Sequence, residues 1–106
     1  MKAAMIEQIG GPEVLIYGDI SDPTADQGEV VVDVHAASVN AADWKVRSDI
    51  YGGANLSFPY VLGRDFSGVV RTVGEGVKEF TIGDAVFGVC DVGQEGAYAE
   101  QISIKA

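Results

Sequence analysis

The chain has 106 residues, a length typical of one domain, and seven Lys and Arg against sixteen Asp and Glu give it a formal net charge of -9. This acidic excess argues against a nucleic-acid partner, which needs a basic surface, and no apolar stretch approaches the ~20 residues that span a bilayer. The single cysteine, Cys90, excludes an intramolecular disulfide and a multi-cysteine zinc cluster. Because Glu7 interrupts the N-terminus before a signal-length apolar region can develop, we expect a cytoplasmic protein.

Short runs rich in β-branched residues alternate with glycines, and this pattern indicates strands joined by turns. The clearest strand is predicted to place Val30, Val32 and Val34 on a core face, with the opposite face half-exposed. We therefore predict a single, mainly β domain, closed as a small barrel or a partly open sandwich. In chain order, the predicted strands cover residues 3–9, 14–19, 29–36, 67–73, 85–89 and 97–104.

Between the third and fourth predicted strands, residues 40–49 predict a helix of two to three turns with Asn40 as its N-cap. Asp43 either pairs with Arg47, four residues later, or supports Asn40. Residues 50–59 are too glycine-rich for a helix and too irregular for a strand. We predict a long loop there, of the kind that is often functional in a compact β domain.

Phosphate-binding motifs are absent from this sequence. It contains no Gly-x-Gly-x-x-Gly between a strand and a helix and no Walker-type loop, so we expect that it does not bind a dinucleotide by itself. Cys90 follows an apolar run and is interpreted as a small buried residue, not a nucleophile.

Three motifs together resemble the N-terminal GroES-like domain of the medium-chain dehydrogenase/reductase superfamily. They are Gly-Glu-Val-Val-Val-Asp-Val-His-Ala-Ala-Ser-Val-Asn-Ala-Ala-Asp at 28–43, Leu-Gly-Arg-Asp-Phe-Ser-Gly-Val-Val at 62–70 with its continuation to Val86, and Gly-Ala-Tyr-Ala-Glu at 96–100. The resemblance implies a GroES-like, small, partly open β-barrel with one or two short helices over residues 1–106. It also implies that the dinucleotide-binding Rossmann domain is absent from this chain, which ends directly after a predicted strand, as at a domain boundary.

The positions of the zinc ligands distinguish the branches of this superfamily. Zinc alcohol dehydrogenases carry a Cys where this chain has Asn40, and a His-Glu pair where it has Arg64 and Asp65. The guanidinium of Arg64 stays protonated and therefore cannot bind zinc. The carboxylate of Asp65 and the amide of Asn40 are poorer zinc ligands than a thiolate and an imidazole. Together with Arg-Ser-x-x-Tyr at 47–51, the sequence resembles the zinc-independent quinone oxidoreductase branch, which includes ζ-crystallin-like proteins. That branch reduces quinones or enones with NADPH and without a metal.

Two residues are candidates for catalysis, Asn40 from the resemblance and Tyr51 from its place on the predicted loop. Asn40 is expected to contact the nicotinamide ribose or the substrate, with helix capping as an alternative or additional role. Tyr51, on the predicted loop, could donate its phenol to a substrate oxygen or simply pack over the core.

Four further residues are assigned supporting roles. Asp43 and Lys45 are placed with Asn40 on the cofactor side, where Lys45 would meet a phosphate or remain a solvated charge. Arg64 and Asp65 are expected to lie behind the site and to form an ion pair where the zinc ligands would be. A local salt bridge is the simpler interpretation, and a direct role in the chemistry is the alternative.

We therefore predict the substrate-side domain of a zinc-independent, NADPH-dependent oxidoreductase that transfers hydride to a quinone or an α,β-unsaturated carbonyl and is inactive in isolation. One alternative is a stand-alone GroES-like module acting in binding or assembly. The other is a zinc alcohol dehydrogenase domain, which the missing zinc ligands disfavour. Without the Rossmann domain, an apolar flank near the C-terminal strand would be exposed, so self-association into a homo-oligomer is also predicted.

Overall fold

The structure is a computed structural model that describes residues 1–50, 52 and 55–106, and these residues form seven strands, one α-helix and one 3₁₀ turn. The short turn Pro12–Val14 leads directly into the second strand. In chain order, the elements are β1 (Lys2–Ile6), β2 (Leu15–Asp19), β3 (Glu29–Ala37), α1 (Ala41–Ser48), β4 (Tyr60–Val61), β5 (Asp65–Val73), β6 (Ala85–Val89) and β7 (Gln101–Lys105).

The strands form two antiparallel sheets that meet along one seam. One sheet has the order β2-β1-β4 and the other β6-β5-β3-β7. Just before β7, Ala99 bridges to Ala3, and the Ala4 N–H donates to the Tyr98 carbonyl at 2.8 Å. The prediction of a mainly β domain with one or two short helices is confirmed, and the described strands form open sheets that do not close into a barrel.

Two apolar clusters stabilise the sheets. The larger one lies on the four-stranded sheet and the smaller one lies under β1 and β4. Val30 and Val32 are buried as predicted, but Val31 is only 1% exposed. The expectation of a half-exposed opposite face is therefore wrong at Val31, because both faces of this central strand are covered there. The fully packed members of the two clusters are Val30, Val32, Phe66, Val70, Cys90, Ala97 and Ile102, and then Ile6, Val14 and Leu62.

An apolar surface is exposed at the edge of the four-stranded sheet. Phe87 and Val89, on the edge strand β6, are 88% and 67% exposed. A groove of about 400 Å³ joins β6 to Ile104 and Ala106 at the end of β7. The predicted apolar flank thus includes the C-terminal strand but is built mainly on β6, and self-association stays a prediction. In the described part of the chain, no helix combines the length and the apolarity needed to cross a membrane.

Gly68 provides a test of the close approach between β3 and β5. A Cβ at this position would lie 2.0 Å from the Asp33 carbonyl oxygen, a backbone atom that cannot rotate away. We expect Gly68→Ala to lower the free energy of unfolding by about 3 kcal/mol, the upper part of the range for overpacking, as measured by urea denaturation. Gly96→Ala is the matched control, because its Cβ would meet only the Ile102 side chain at 3.6 Å. Equal stability of the two variants would contradict the close approach.

Candidate functional site

The pairing of β3 with β5 brings Ser38 and Asp65 side by side. Ala37 of β3 is paired with Phe66 of β5. Because the strands are antiparallel, Ser38, which follows Ala37, lies beside Asp65, which precedes Phe66. The Ser38 N–H donates to Asp65 Oδ1 at 3.2 Å, and the Ser38 hydroxyl donates to the same oxygen. The strand register therefore places a carboxylate at the start of the helix.

Asn40 completes a hydrogen-bonded group that we call the Ser38–Asn40–Asp65 cluster. Its Nδ2 lies 3.1 Å from Ser38 Oγ and 3.1 Å from Asp65 Oδ2. The hydroxyl of Ser38 and then the amide of Asn40 lower the pKa of Asp65 below its usual value, so this carboxyl group is ionised at neutral pH. Asn40 and Asp65, which lie 25 residues apart in the sequence, are thus in direct contact.

Asp43 holds Asn40 at the N-terminus of α1. Asp43 is 5% exposed, and its Oδ2 accepts the backbone N–H of Asn40 at 2.8 Å, in a capping-box arrangement. The same oxygen accepts the hydroxyl of Tyr98. Among the described residues, no ion pair joins Asp43 to Arg47, whose Nε donates to the Gly10 carbonyl at 3.3 Å. Of the two roles expected for Asp43, the structure shows the support of Asn40.

A cleft of about 660 Å³ lies beside α1. Its lining includes Lys45 and Val46 from the helix, Leu56 and Tyr60, Arg64, and the segment with Val92, Gly93 and Glu95. Two of the predicted site residues, Lys45 and Arg64, line this cleft. Asn40, Asp43 and Asp65 instead form contacts at the start of α1, and Tyr51 lies outside the described residues.

Tyr60 and Glu95 form a polar contact in the cleft lining that the sequence analysis missed. The Tyr60 hydroxyl donates to Glu95 Oε2 and accepts the Glu95 N–H at 3.2 Å. Burial, followed by the contact with Glu95, raises the pKa of Tyr60. The Tyr60 hydroxyl thus makes two hydrogen bonds to Glu95, one as a donor and one as an acceptor. These bonds fix the segment 92–95 against β4.

Arg64 and Asp65 do not form the expected ion pair. Arg64 lines the cleft, whereas Asp65 turns to Ser38 and Asn40. Across residues 1–50, 52 and 55–106, no ion pair within 4.0 Å joins the two side chains. The expectation is wrong because Asp65, the first residue of β5, is hydrogen-bonded to Ser38 and Asn40, whereas Arg64 lies in the bend before the strand and lines the cleft.

Cys90 is the buried thiol that the sequence predicted. It is 2% exposed, its N–H donates to the Arg64 carbonyl at 2.6 Å, and burial raises the pKa of the thiol to about 11. A thiol that stays protonated and buried is a poor nucleophile. No group of three or more His, Cys, Asp and Glu side chains within the described residues has an arrangement that could hold a metal ion.

Comparisons with known proteins agree in family and fold. Residues 26–106 match the model of the alcohol dehydrogenase GroES-like domain. The chain is 38% identical over 101 residues to a quinone oxidoreductase of Rattus norvegicus, covering 94% of this chain and 30% of that protein. It is 41% identical over 102 residues to a trans-enoyl reductase of Gibberella fujikuroi, covering 94% of this chain and 28% of that protein.

A solved structure shows the same fold. The Escherichia coli quinone oxidoreductase in complex with NADPH superposes with a TM-score of 0.88 at 30% identity, over 99% of this chain and 31% of that one. The chain therefore spans less than a third of the length of these relatives.

The contact between Tyr98 and Asp43 predicts a loss of stability in alkali. Burial, then the bond to Asp43, raises the pKa of the Tyr98 phenol above its usual value of 10.0. As the pH rises past about 10, the unfolded chain loses this proton first, so the free energy of unfolding falls. Tyr98→Phe should lower the free energy of unfolding by about 1–3 kcal/mol below pH 10 and flatten its decline above pH 10, as measured by urea denaturation across that range.

Tyr17→Phe is the control for this titration. Tyr17 is 75% exposed, so removal of its hydroxyl should leave both the stability and its dependence on pH as in the wild type. A Tyr98→Phe profile that is parallel to the wild type above pH 10 would argue against the buried phenol–carboxylate contact.

Proposed function

The chain belongs to the alcohol dehydrogenase GroES-like domain family, in the quinone oxidoreductase branch of the medium-chain dehydrogenase/reductase superfamily, and we propose that it is the substrate-side domain of a zinc-independent, NADPH-dependent reductase. The proposed acceptors are quinones and α,β-unsaturated carbonyl compounds, the classes named by the relatives. The observation that carries this proposal is the cleft of about 660 Å³ beside α1, which combines apolar lining with the cations Lys45 and Arg64 and is also bordered by Asp49 and Glu95.

Lys45 and Arg64 are the proposed donors to the substrate carbonyl. When hydride is added to a conjugated carbonyl compound, negative charge develops on its oxygen, and fixed donors that face this oxygen lower the barrier. Both side chains line the cleft, and neither forms an ion pair within 4.0 Å in the part of the chain that the structure describes. Val46 and Leu56 would contact the ring or the apolar part of the acceptor.

The residues at the positions of the family's zinc ligands do not suit zinc. The Asn40 amide and the Asp65 carboxylate are hydrogen-bonded to each other, and Arg64, a permanent cation, lies in the cleft. Neither a thiolate nor an imidazole is at these positions, and these are the ligands that zinc prefers with carboxylate. This chemistry supports a mechanism in which side-chain donors, and not a metal, stabilise the developing charge.

The start of α1 suits a dinucleotide better than a metal. NADPH, which is present in the Escherichia coli structure, would supply the hydride. Asn40 would hold a ribose hydroxyl, and Lys45 would attract a phosphate or the substrate oxygen. Asp43 is 5% exposed, and its Oδ2 accepts two donors while its Oδ1 is buried with no partner among the described residues. Because of this burial, we assign Asp43 to holding Asn40 and not to direct contact with the cofactor.

Turnover is proposed to need a dinucleotide-binding domain. Hydride transfer requires the nicotinamide to be held in line with the acceptor, and the chain covers 30% of the rat protein. With NADPH and a quinone, the protein alone should oxidise NADPH no faster than buffer does. Steady turnover by this chain would show that its own residues hold the cofactor.

Binding of a quinone to the cleft tests the substrate side of the proposal independently of turnover. Duroquinone is a suitable probe, because its methylated ring resists addition of thiols. In a titration of the ¹⁵N-labelled protein, we expect the amide shifts of Lys45, Leu56 and Arg64 to move together. Arg64→Met keeps the apolar stem but loses the charged donor, so it should weaken binding about tenfold.

Lys78→Met is the matched control, because Lys78 is an exposed cation away from the cleft. It should bind duroquinone as the wild type does. Shifts that are confined to the exposed apolar surface on β6, or absent at the cleft, would refute a quinone site and favour the stand-alone binding module.

A further inference from the structure

We propose that Asp65 is a positioning residue that orients the Asn40 carboxamide so that only its carbonyl oxygen is free to bind a ligand. The ligand group at Asn40 is then a hydrogen-bond donor, such as a hydroxyl or an amide N–H. This inference rests on the proposed function for the identity of the ligand, but the orientation of the amide is a property of the chain alone.

The nitrogen of the Asn40 amide, and not its oxygen, faces Asp65 and Ser38. An ionised carboxylate can only accept hydrogen bonds, so the atom 3.1 Å from Asp65 Oδ2 must be the Asn40 nitrogen. Ser38 uses its hydroxyl proton on Asp65 Oδ1 and therefore accepts at its own oxygen. The Asn40 nitrogen lies 3.1 Å from that oxygen too, so both amide protons have acceptors within the cluster.

The carbonyl oxygen of Asn40 is the part of the side chain that can still bind a ligand. A carbonyl oxygen has two lone pairs, and capping of the helix uses at most one of them. Asn40 is half-buried, while its neighbours Ser38 and Val39 are exposed, Val39 by 84%. The carbonyl oxygen of this partly exposed side chain thus keeps a free lone pair, whereas its amide has no free proton.

Hydrogen-bond acceptor and donor roles are separated around α1. Because its protons are engaged, Asn40 cannot donate to a substrate oxygen that becomes negative. That role falls to Lys45 and Arg64 in the cleft. Asp65 separates the two roles, since without its negative charge the Asn40 amide could rotate and present either end.

The Asn40 side-chain NH₂ signals in an ¹H–¹⁵N spectrum report this orientation directly. Asn55, the other asparagine in the sequence, is exposed and serves as the internal reference. In the wild type, we expect the NH₂ protons of Asn40 to exchange with water about tenfold more slowly than those of Asn55. Asp65→Asn should abolish this difference, and Ser38→Ala should reduce it by releasing one of the two protons.

Asp91→Asn is the matched control, because Asp91 is an exposed carboxylate that makes no contact with the cluster. Its Asn40 signals should match the wild type. Equal exchange of Asn40 and Asn55 in the wild type would overturn the proposal, as would unchanged protection in a folded Asp65→Asn variant. Should Asp65→Asn fail to fold, the wild type and Ser38→Ala still decide the question.

Nicotinamide mononucleotide, which carries ribose hydroxyls, tests the free acceptor. It should shift the Asn40 signals of the wild type, and Asp65→Asn should weaken this binding about fivefold, the order expected for one hydrogen bond. No shift at Asn40 would overturn the assignment of Asn40 as a ligand acceptor. The proposed function fails separately, through the duroquinone titration, because that probe does not need the Asn40 oxygen.

Discussion

The hydrogen bond from the Tyr98 hydroxyl to the buried Asp43 side chain connects the start of the helix to the segment just before β7, where Ala99 bridges to Ala3 of β1. The backbone of Tyr98 accepts the Ala4 N–H and donates to the Leu62 carbonyl at 2.9 Å, so this residue already lies at the seam between the sheets. Since Asp43 also binds the N–H of Asn40, the position of the helix start is set from the seam. The two donors on Asp43 Oδ2 compensate part of the cost of burying this side chain, whose Oδ1 is buried with no hydrogen-bond partner among the described residues.

The register between β3 and β5 provides the second constraint on the same place. It sets Ser38 beside Asp65, and the contact is possible because β5 begins where β3 ends. Gly68 allows the two strands to approach at that end, since any side chain there would meet the Asp33 carbonyl. Asn40 is therefore held on its backbone by Asp43 and on its side chain by Asp65, which are contacts from two different parts of the fold.

Local sequence patterns predicted the features that depend on neighbouring residues. The strand β6 was predicted with its observed bounds, and the helix was predicted within one residue of Ala41–Ser48 at either end, because alternation and an N-cap are local signals. The two-residue strand β4 is too short to show a period, so it was missed. Tyr60 with Glu95, and Asp43 with Tyr98, are separated by 35 and 55 residues, and no periodicity relates such positions.

The expected ion pair of Arg64 with Asp65 shows why adjacency in sequence misled the site assignment. Two opposite charges that are neighbours in the chain suggest a local salt bridge, but Arg64 lies in a bend and lines the cleft, whereas Asp65 begins β5 and contacts Asn40. This separation leaves Arg64 in the cleft as a cation and Asp65 at Asn40 as an acceptor. Under the function we propose, Arg64 would supply a donor to the cleft while Asp65 anchors the Asn40 amide, so no single group would take the place of a metal.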